Sequence, residues 1–346
     1  MGIVVGLDVG GAHVKAARLE NGQITEVRQL ACPLWLGLDR LDAMLRELRT
    51  MTDDAARVAI TMTAELTEIF PSRDEGAMIL LQRLAEAFGS AASYFMGLKG
   101  FGDLEEALHD PASVSSANFL ASAKAVSARR PGVLLIDMGS TTTDIIPCDR
   151  PQGLSDAERL QTGELVYTGF TRTPVPSVTT RAPLLGTWQT LARDTFATMA
   201  DVRRLLGELP EGIDNHATAD GRSKSLPDSL RRFARGFGRD GEERHLPVWQ
   251  AAATYVRERQ IRSICDGALQ VLSRPGLTIS GVAAAGIGAS VAEAVARRLG
   301  FSAITFGGLI GAPIEHRAWA TRCAPAVAVA LALTQEAKDG KVLEKS

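Results

Sequence analysis

The chain has 346 residues, 45% hydrophobic and 23% charged, with 38 Lys and Arg against 40 Asp and Glu. At about 150 residues per domain this suits roughly two domains. A formal net charge of -2 provides no field for gathering polyanions, which argues against nucleic-acid binding by bulk charge.

The longest apolar stretch near the C-terminus, Ala324 to Leu333, is about half of the ~20 residues a membrane-crossing helix needs. The N-terminus lacks the basic-then-apolar order of a secretory signal, so a cytoplasmic protein with no membrane partner is expected. Cys32, Cys148, Cys265 and Cys323 lie far apart without CxxC spacing and read as buried small hydrophobes.

Taken in chain order, Ile3 to Leu7 is a β-branched run ending in Asp8-Val9-Gly10-Gly11. His13 to Leu19 resumes an extended pattern, and Asn21-Gly22 signals a hairpin before Ile24 to Leu30. Leu38 to Thr50 has helical spacing at Leu41, Met44, Leu45 and Leu48. A strand over Ala56 to Met62, a helix over Glu75 to Phe88, a strand over Ala92 to Met96 and a helix over Ser113 to Ala128 complete the first third.

Arg129-Arg130-Pro131-Gly132 breaks the chain, and the opening pattern returns. Val133 to Ile136 ends in Asp137-Met138-Gly139-Ser140, Thr141 to Pro147 continues as a strand, and Glu164 to Phe170 gives another. Strand, terminal Asp, glycine turn and second strand thus occur twice, an internal duplication that constrains the whole architecture. The stretch from about Thr187 to Arg274 reads as mostly helical, with helices over Ala192 to Leu206, Ser229 to Phe237 and Val248 to Leu272. Leu277 to Ala284 is a strand, Ala285 to Ala289 a glycine turn, Ser290 to Leu299 a helix, Ser302 to Phe306 a strand and Ala324 to Glu336 the closing helix. Lys338 to Ser346 is polar and expected to fray.

Glycine makes up 33 residues and clusters at these strand ends. Such clusters mark a backbone that turns tightly or comes close to a ligand. Two facing strand-Asp-Gly-turn units would place two glycine turns and two carboxylates around one polyphosphate. Gly10 and Gly11 form one turn, and Gly139 with the Ser140, Thr141 and Thr142 hydroxyls forms the other. Asp8 and Asp137 would hold Mg²⁺ or another divalent cation. The threonine run equally suits a plain strand, since Thr favours extended backbone. Lys15 either reaches a phosphate as a point charge or is a solvated strand lysine; His13 is a ligand or a turn cap. Gly286 and Gly288, between a strand and a helix, suit either phosphate approach to a helix N-terminus or close strand–helix packing.

Gly-Leu-Asp8-Val-Gly-Gly, Leu-Ile-Asp137-Met-Gly-Ser-Thr-Thr-Thr-Asp144 and Ala-Ala-Gly286-Ile-Gly288 resemble the phosphate-1, phosphate-2 and adenosine motifs of the actin/sugar-kinase/Hsp70 superfold. The resemblance covers nearly the whole chain. Ser116-Ala-Asn118-Phe, the Thr162 to Pro174 segment with Arg172, and Thr218-Ala-Asp220-Gly-Arg-Ser-Lys224 resemble a narrower group. This is the hydantoinase/oxoprolinase-related family that includes proteins linked to tetrahydromethanopterin-dependent one-carbon transfer and to methanofuran or methylofuran biosynthesis.

The resemblance implies an α/β, duplicated RNase H-like fold with two domains flanking a phosphate-binding cleft. These would be 1–130 and 131–346, the second with a helical insertion at about 187–274 and a last helix that packs back on the first. It implies a transferase that condenses an aminomethylfuran-methyl diphosphate with the phenol of a γ-glutamylated tyramine- or tyrosine-type acceptor and releases diphosphate. An ATP-dependent small-molecule kinase or oxoprolinase-like ATPase is the alternative, with ATP as its ligand.

Asp8, Asp137, Asp144 and Asp220 are the catalytic candidates. Asp144, Asp220 and His216 compete for the role of base toward the phenol, and Asp220 also suits a turn. Asn118, Arg172, Arg222 and Lys224 are the substrate-binding candidates. The partners expected are small molecules, and the oligomeric state stays open, with a homodimer as one reading.

Overall fold

A computed structural model describes residues 2–343. Six strands form the first sheet: β1 (Ile3–Gly10), β2 (His13–Glu20), β3 (Gln23–Ala31), β4 (Arg57–Thr63), β5 (Ala92–Phe95) and β6 (Phe101–Gly102). Its order is β3-β2-β1-β4-β5-β6. β1 to β3 pair antiparallel, while β4 pairs parallel with both β1 and β5.

The second half repeats this plan. β7 (Val133–Met138), β8 (Thr143–Pro147) and β9 (Leu165–Val166) are antiparallel neighbours, and an unattached hairpin follows, β10 (Arg181–Leu184) with β11 (Thr187–Thr190). β12 (Gly281–Ala285) then pairs parallel with β7, and β13 (Ala303–Thr305) parallel with β12. The resulting order β13-β12-β7-β8-β9 is the first sheet's pattern again. The fold is therefore the duplicated α/β arrangement, with two sheets flanking a cleft at the strand ends where ligands of open α/β sheets bind.

β1 and β7 are buried along almost their whole length because helices cover both faces. The last helix, Ala324–Leu343, lies on β1, where a Cβ on Gly6 would sit 2.0 Å from the Ala326 carbonyl oxygen. Glycine at position 6 is what lets the helix backbone approach. One core joins Val4, Ala17, Val133, Leu135 and Ala283 to that helix and to the helix Asn118–Ser127, tying both sheets together. Among the described residues no helix is long and apolar enough to cross a membrane.

Several expected elements differ. The helix expected over Ser113 to Ala128 is split into Pro111–Val114 and Asn118–Ser127, with Ser116 between them at φ 50°. Thr187, read as the start of a helical stretch, opens β11 instead, because Leu185 and Gly186 reverse the chain at positive φ. The helix expected from Ala192 begins only at Met199, where the Asp201 carboxylate accepts from the Thr198 N–H at 3.1 Å and fixes the start. The strand expected over Glu164 to Phe170 shrinks to β9, since the Phe170 and Arg172 N–H groups bond to Gly139 and Ser140. The last helix runs to Leu343 through residues expected to fray; 344–346 lie outside the described residues.

Candidate active site

The ends of both sheets line one pocket of about 290 Å³. Asp8 near the end of β1 and Asp137 near the end of β7 are both buried there. Antiparallel pairing puts Lys15 directly across from Asp8, and Lys15 Nζ donates to Asp8 Oδ2 at 3.2 Å. Asp8 Oδ1 is buried without a hydrogen-bond partner among the described residues. Burial opposes the Lys15 charge, but Asp8 and then Asp137 more than offset it, so its pKa stands above the usual lysine value. Burial pushes the Asp137 carboxyl up to about 7; Lys15 opposes this, while Asp144 and Asp8 add to it.

The first turn, Gly10 and Gly11, leads directly into His13 on β2. The second, Gly139 to Thr142, closes with Gly139 N–H donating to Thr142 O at 2.9 Å. It is braced from behind. Phe170 and Arg172 N–H groups each donate at 2.9 Å, to Gly139 O and Ser140 O, and a Cβ on Gly169 would meet the Ser140 carbonyl carbon at 2.4 Å. Only glycine lets the 169 backbone lie this close, so the turn's shape depends on a segment thirty residues away.

Asp144 lies directly across from Asp137. Its carboxylate is bonded by the buried Arg159, which also donates to Asp156 at 2.6 Å and lies over the Phe119 ring at 4.0 Å. Burial raises the Asp144 pKa, and Arg159 restrains the rise. On the other side, Arg172 stacks on Trp35 at 4.4 Å and donates weakly to Thr141 Oγ1 at 3.4 Å, with no ion pair among the described residues. Burial lowers its pKa. The His13 and His216 rings meet edge-on at 4.5 Å, with Trp35 against His216. Burial lowers both, His216 to about 4 with help from the Arg172 charge, so both rings are neutral at pH 7.

The pocket thus gathers Asp8, Gly10, Gly11, His13, Lys15, Asn118, Asp137, Gly139, Ser140, Thr141, Thr142, Asp144 and Arg172 of the residues read from sequence, with His216 packed behind His13. It does not gather the rest. Gly286 and Gly288 are buried against β7: added Cβ atoms would meet Met138 O at 2.3 Å and Met138 Sδ at 2.5 Å, and their N–H groups donate to Thr321 O and Met138 O. Asp220 is exposed and pairs with Arg232 at 3.1 Å; Arg222 is exposed, and Lys224 bonds the Asp214 carbonyl. All three belong to a salt-bridge network of the insertion.

Sequence reasoning passed over Trp35, Asp156 and Arg159. The capping box formed by Ser155 and Glu158 marks a helix start at Asp156, with Arg159 one turn later, and this was the available signal. Trp35 carries no local mark.

Residues 57–334 match the hydantoinase/oxoprolinase family model. A curated relative from Methanocaldococcus jannaschii, (4-{4-[2-(gamma-L-glutamylamino)ethyl]phenoxymethyl}furan-2-yl)methanamine synthase, is 32% identical over 244 residues, covering 69% of this chain and 73% of the relative. The Methanococcus vannielii protein of the same name is 34% identical over 105 residues, 30% of this chain and 47% of that protein. Among solved structures, nucleotide-free acetone carboxylase aligns with a TM-score of 0.53 at 11% identity, over 95% of this chain and 70% of that one. The length and position of the family match show that the chain belongs to the hydantoinase/oxoprolinase family.

Proposed function

We propose that the chain is a transferase of methanofuran or methylofuran biosynthesis that forms an aryl furfuryl ether. The phenol oxygen of a γ-glutamylated tyramine- or tyrosine-type acceptor replaces diphosphate on the methylene carbon of an aminomethylfuran-methyl diphosphate. The names of the curated relatives support this reading, because they describe a phenoxymethylfuran methanamine bearing a γ-glutamylamino arm. The observation that carries it is the convergence of two glycine turns, one from each sheet, on a pocket holding two buried strand-end carboxylates and Lys15.

A furan ring stabilises positive charge on its methylene, so the main demand is stabilisation of the departing diphosphate. Lys15, Arg172, Ser140, Thr141 and Thr142 line the pocket and are the donors available to that anion. Arg172 suits it because its guanidinium has no carboxylate partner among the described residues to give up.

Asp8 and Asp137 fit a divalent cation of the Mg²⁺ type: Asp8 Oδ1 is an orphaned buried acceptor, and one or two carboxylates plus substrate phosphates commonly complete such a site. When bound, the cation supplies charge neutralisation of the diphosphate. Trp35, His13 and His216 form an uncharged aromatic wall beside these donors, suited to a flat ring.

An ATP-dependent kinase or oxoprolinase-like ATPase would use Gly286 and Gly288 for the nucleotide. Both glycine N–H groups are already bonded, to Thr321 O and Met138 O, so neither is a free donor for a phosphate, and only Ile287 between them lines the pocket. The test is incubation with Mg²⁺, the furan diphosphate and each acceptor, followed by mass spectrometry for the ether and a diphosphate assay. Ether with stoichiometric diphosphate supports the proposal, whereas ATP turnover without ether rejects it.

A further inference from the structure

Ser116 and Glu65 form a buried pair at the pocket wall that the reading above leaves unused. Glu65 lies just beyond β4 with its side chain fully buried, and Ser116, which lines the pocket, donates from Oγ to Glu65 Oε1 at 2.7 Å. Arg73 donates to the same oxygen at 3.2 Å, and Oε2 has no partner among the described residues. Burial raises the Glu65 pKa; Ser116 and Arg73 oppose this and Asp156 adds to it.

Ser116 is also one of three non-glycine residues at positive φ among the described residues. Strain of this kind persists where the surroundings hold it, and it concentrates at functional sites. Two residues later Asn118, itself in the pocket, opens a ten-residue helix whose N-cap offers no side-chain bond. The positive end of that helix stands beside Ser116 and favours developing negative charge.

The other candidates for the base are engaged or unsuited. Asp144 is bonded by Arg159, which is itself buried and shared with Asp156, Asp220 is outside the pocket, and His216 is a weak base in its buried setting. The arginine on Glu65, Arg73, is partly exposed and leaves Oε2 unbonded among the described residues.

We propose that Ser116 binds the phenol oxygen of the acceptor and that Glu65, acting through the Ser116 hydroxyl, receives the phenol proton. The assignment rests on the ether-forming reading. As the bond from phenol oxygen to furan methylene carbon forms, the bond from that carbon to diphosphate breaks, and diphosphate leaves with the electron pair. The phenol proton passes to Ser116 Oγ while the Ser116 hydroxyl proton passes to Glu65 Oε1, leaving Glu65 as the carboxylic acid. Arg73 keeps Glu65 in place, and Asp156 Oδ2, at 3.4 Å from Ser116 Oγ, is the more distant acceptor.

Glu65→Gln preserves an oxygen for Ser116 but cannot take the proton. The experiment compares it with wild type on a tyramine-type acceptor and on ring-fluorinated analogues that are already ionised at neutral pH. Expected are a kcat about 100-fold lower on the parent acceptor, an unchanged KM for the furan diphosphate, loss of the acidic limb of the pH profile, and recovery as fluorination removes the need for a base. Ser116→Gly, which also relieves the positive φ, should show a slow rate on the parent acceptor while melting above Ser116→Ala. An unchanged rate in Glu65→Gln, or an equal loss on every phenol, overturns the assignment and leaves the ether-forming reading intact. Wild type that makes no ether with any phenol overturns both.

Discussion

Lys15 and Asp144 occupy the same place in the two copies of the hairpin: each is the direct cross-strand partner of a strand-end aspartate, Lys15 of Asp8 and Asp144 of Asp137. The duplicated device is therefore asymmetric in charge. One copy presents a cation to the pocket, while the other presents a carboxylate already held by Arg159.

Lys15→Met should weaken diphosphate binding by about 10-fold or more, since a hydrogen bond to a charged group contributes about 1.5–3 kcal/mol. Titration calorimetry with diphosphate and Mg²⁺ measures it. An unchanged affinity would place Lys15 in a purely structural pair with Asp8.

Gly169→Ala should distort the second turn, because its Cβ would fall 2.4 Å from backbone atoms of Ser140 and Thr141. Overpacking of this kind costs about 1–3 kcal/mol. Urea unfolding and diphosphate titration should both show losses, although residue 169 itself need not touch the ligand.

The buried His216 gives a pH dependence. Its folded pKa of about 4 lies below the ordinary value of 6.5, so between these the unfolded chain binds the proton and the folded chain does not. Stability attributable to this group is intact above pH 6.5 and falls as pH drops through 4. The loss should be roughly 2 kcal/mol after allowing for the part of the ring that water reaches. His216→Phe, which cannot titrate, should flatten the fall in melting temperature over this window.

Arg159→Met should leave Asp144 and Asp156 without their shared partner. Removing one side of a buried ion pair costs about 3–5 kcal/mol. Asp144 already has a raised pKa, so the variant should recover part of its stability as pH falls from 7 toward 5 and the carboxyl takes a proton. Denaturant midpoints at the two pH values test this, and a parallel loss at both would contradict it.

The strand-Asp-turn-strand units were legible because all their determinants lie within one hairpin. β-branched residues set the strands, glycines set the turns, and alternation sets which residues face the ligand. The same locality explains the errors. Helical spacing from Ala192 onward has no access to the Thr198 and Asp201 pairing that delays the helix, and an apolar run ending at Ala128 does not reveal that Ser116 interrupts it.

The sequence by itself determined the duplication, the two glycine turns, the strand-end aspartates and the family. Tertiary structure alone decided which charges meet in the pocket. It carried Ser116 to Glu65 across 51 residues, laid Arg172 on Trp35, bound Asp144 to Arg159, and kept Asp220, Arg222 and Lys224 in the insertion's own salt-bridge network. Ion pairing and packing depend on distances of a few ångströms between segments remote in the chain, and no local pattern of residues encodes those distances.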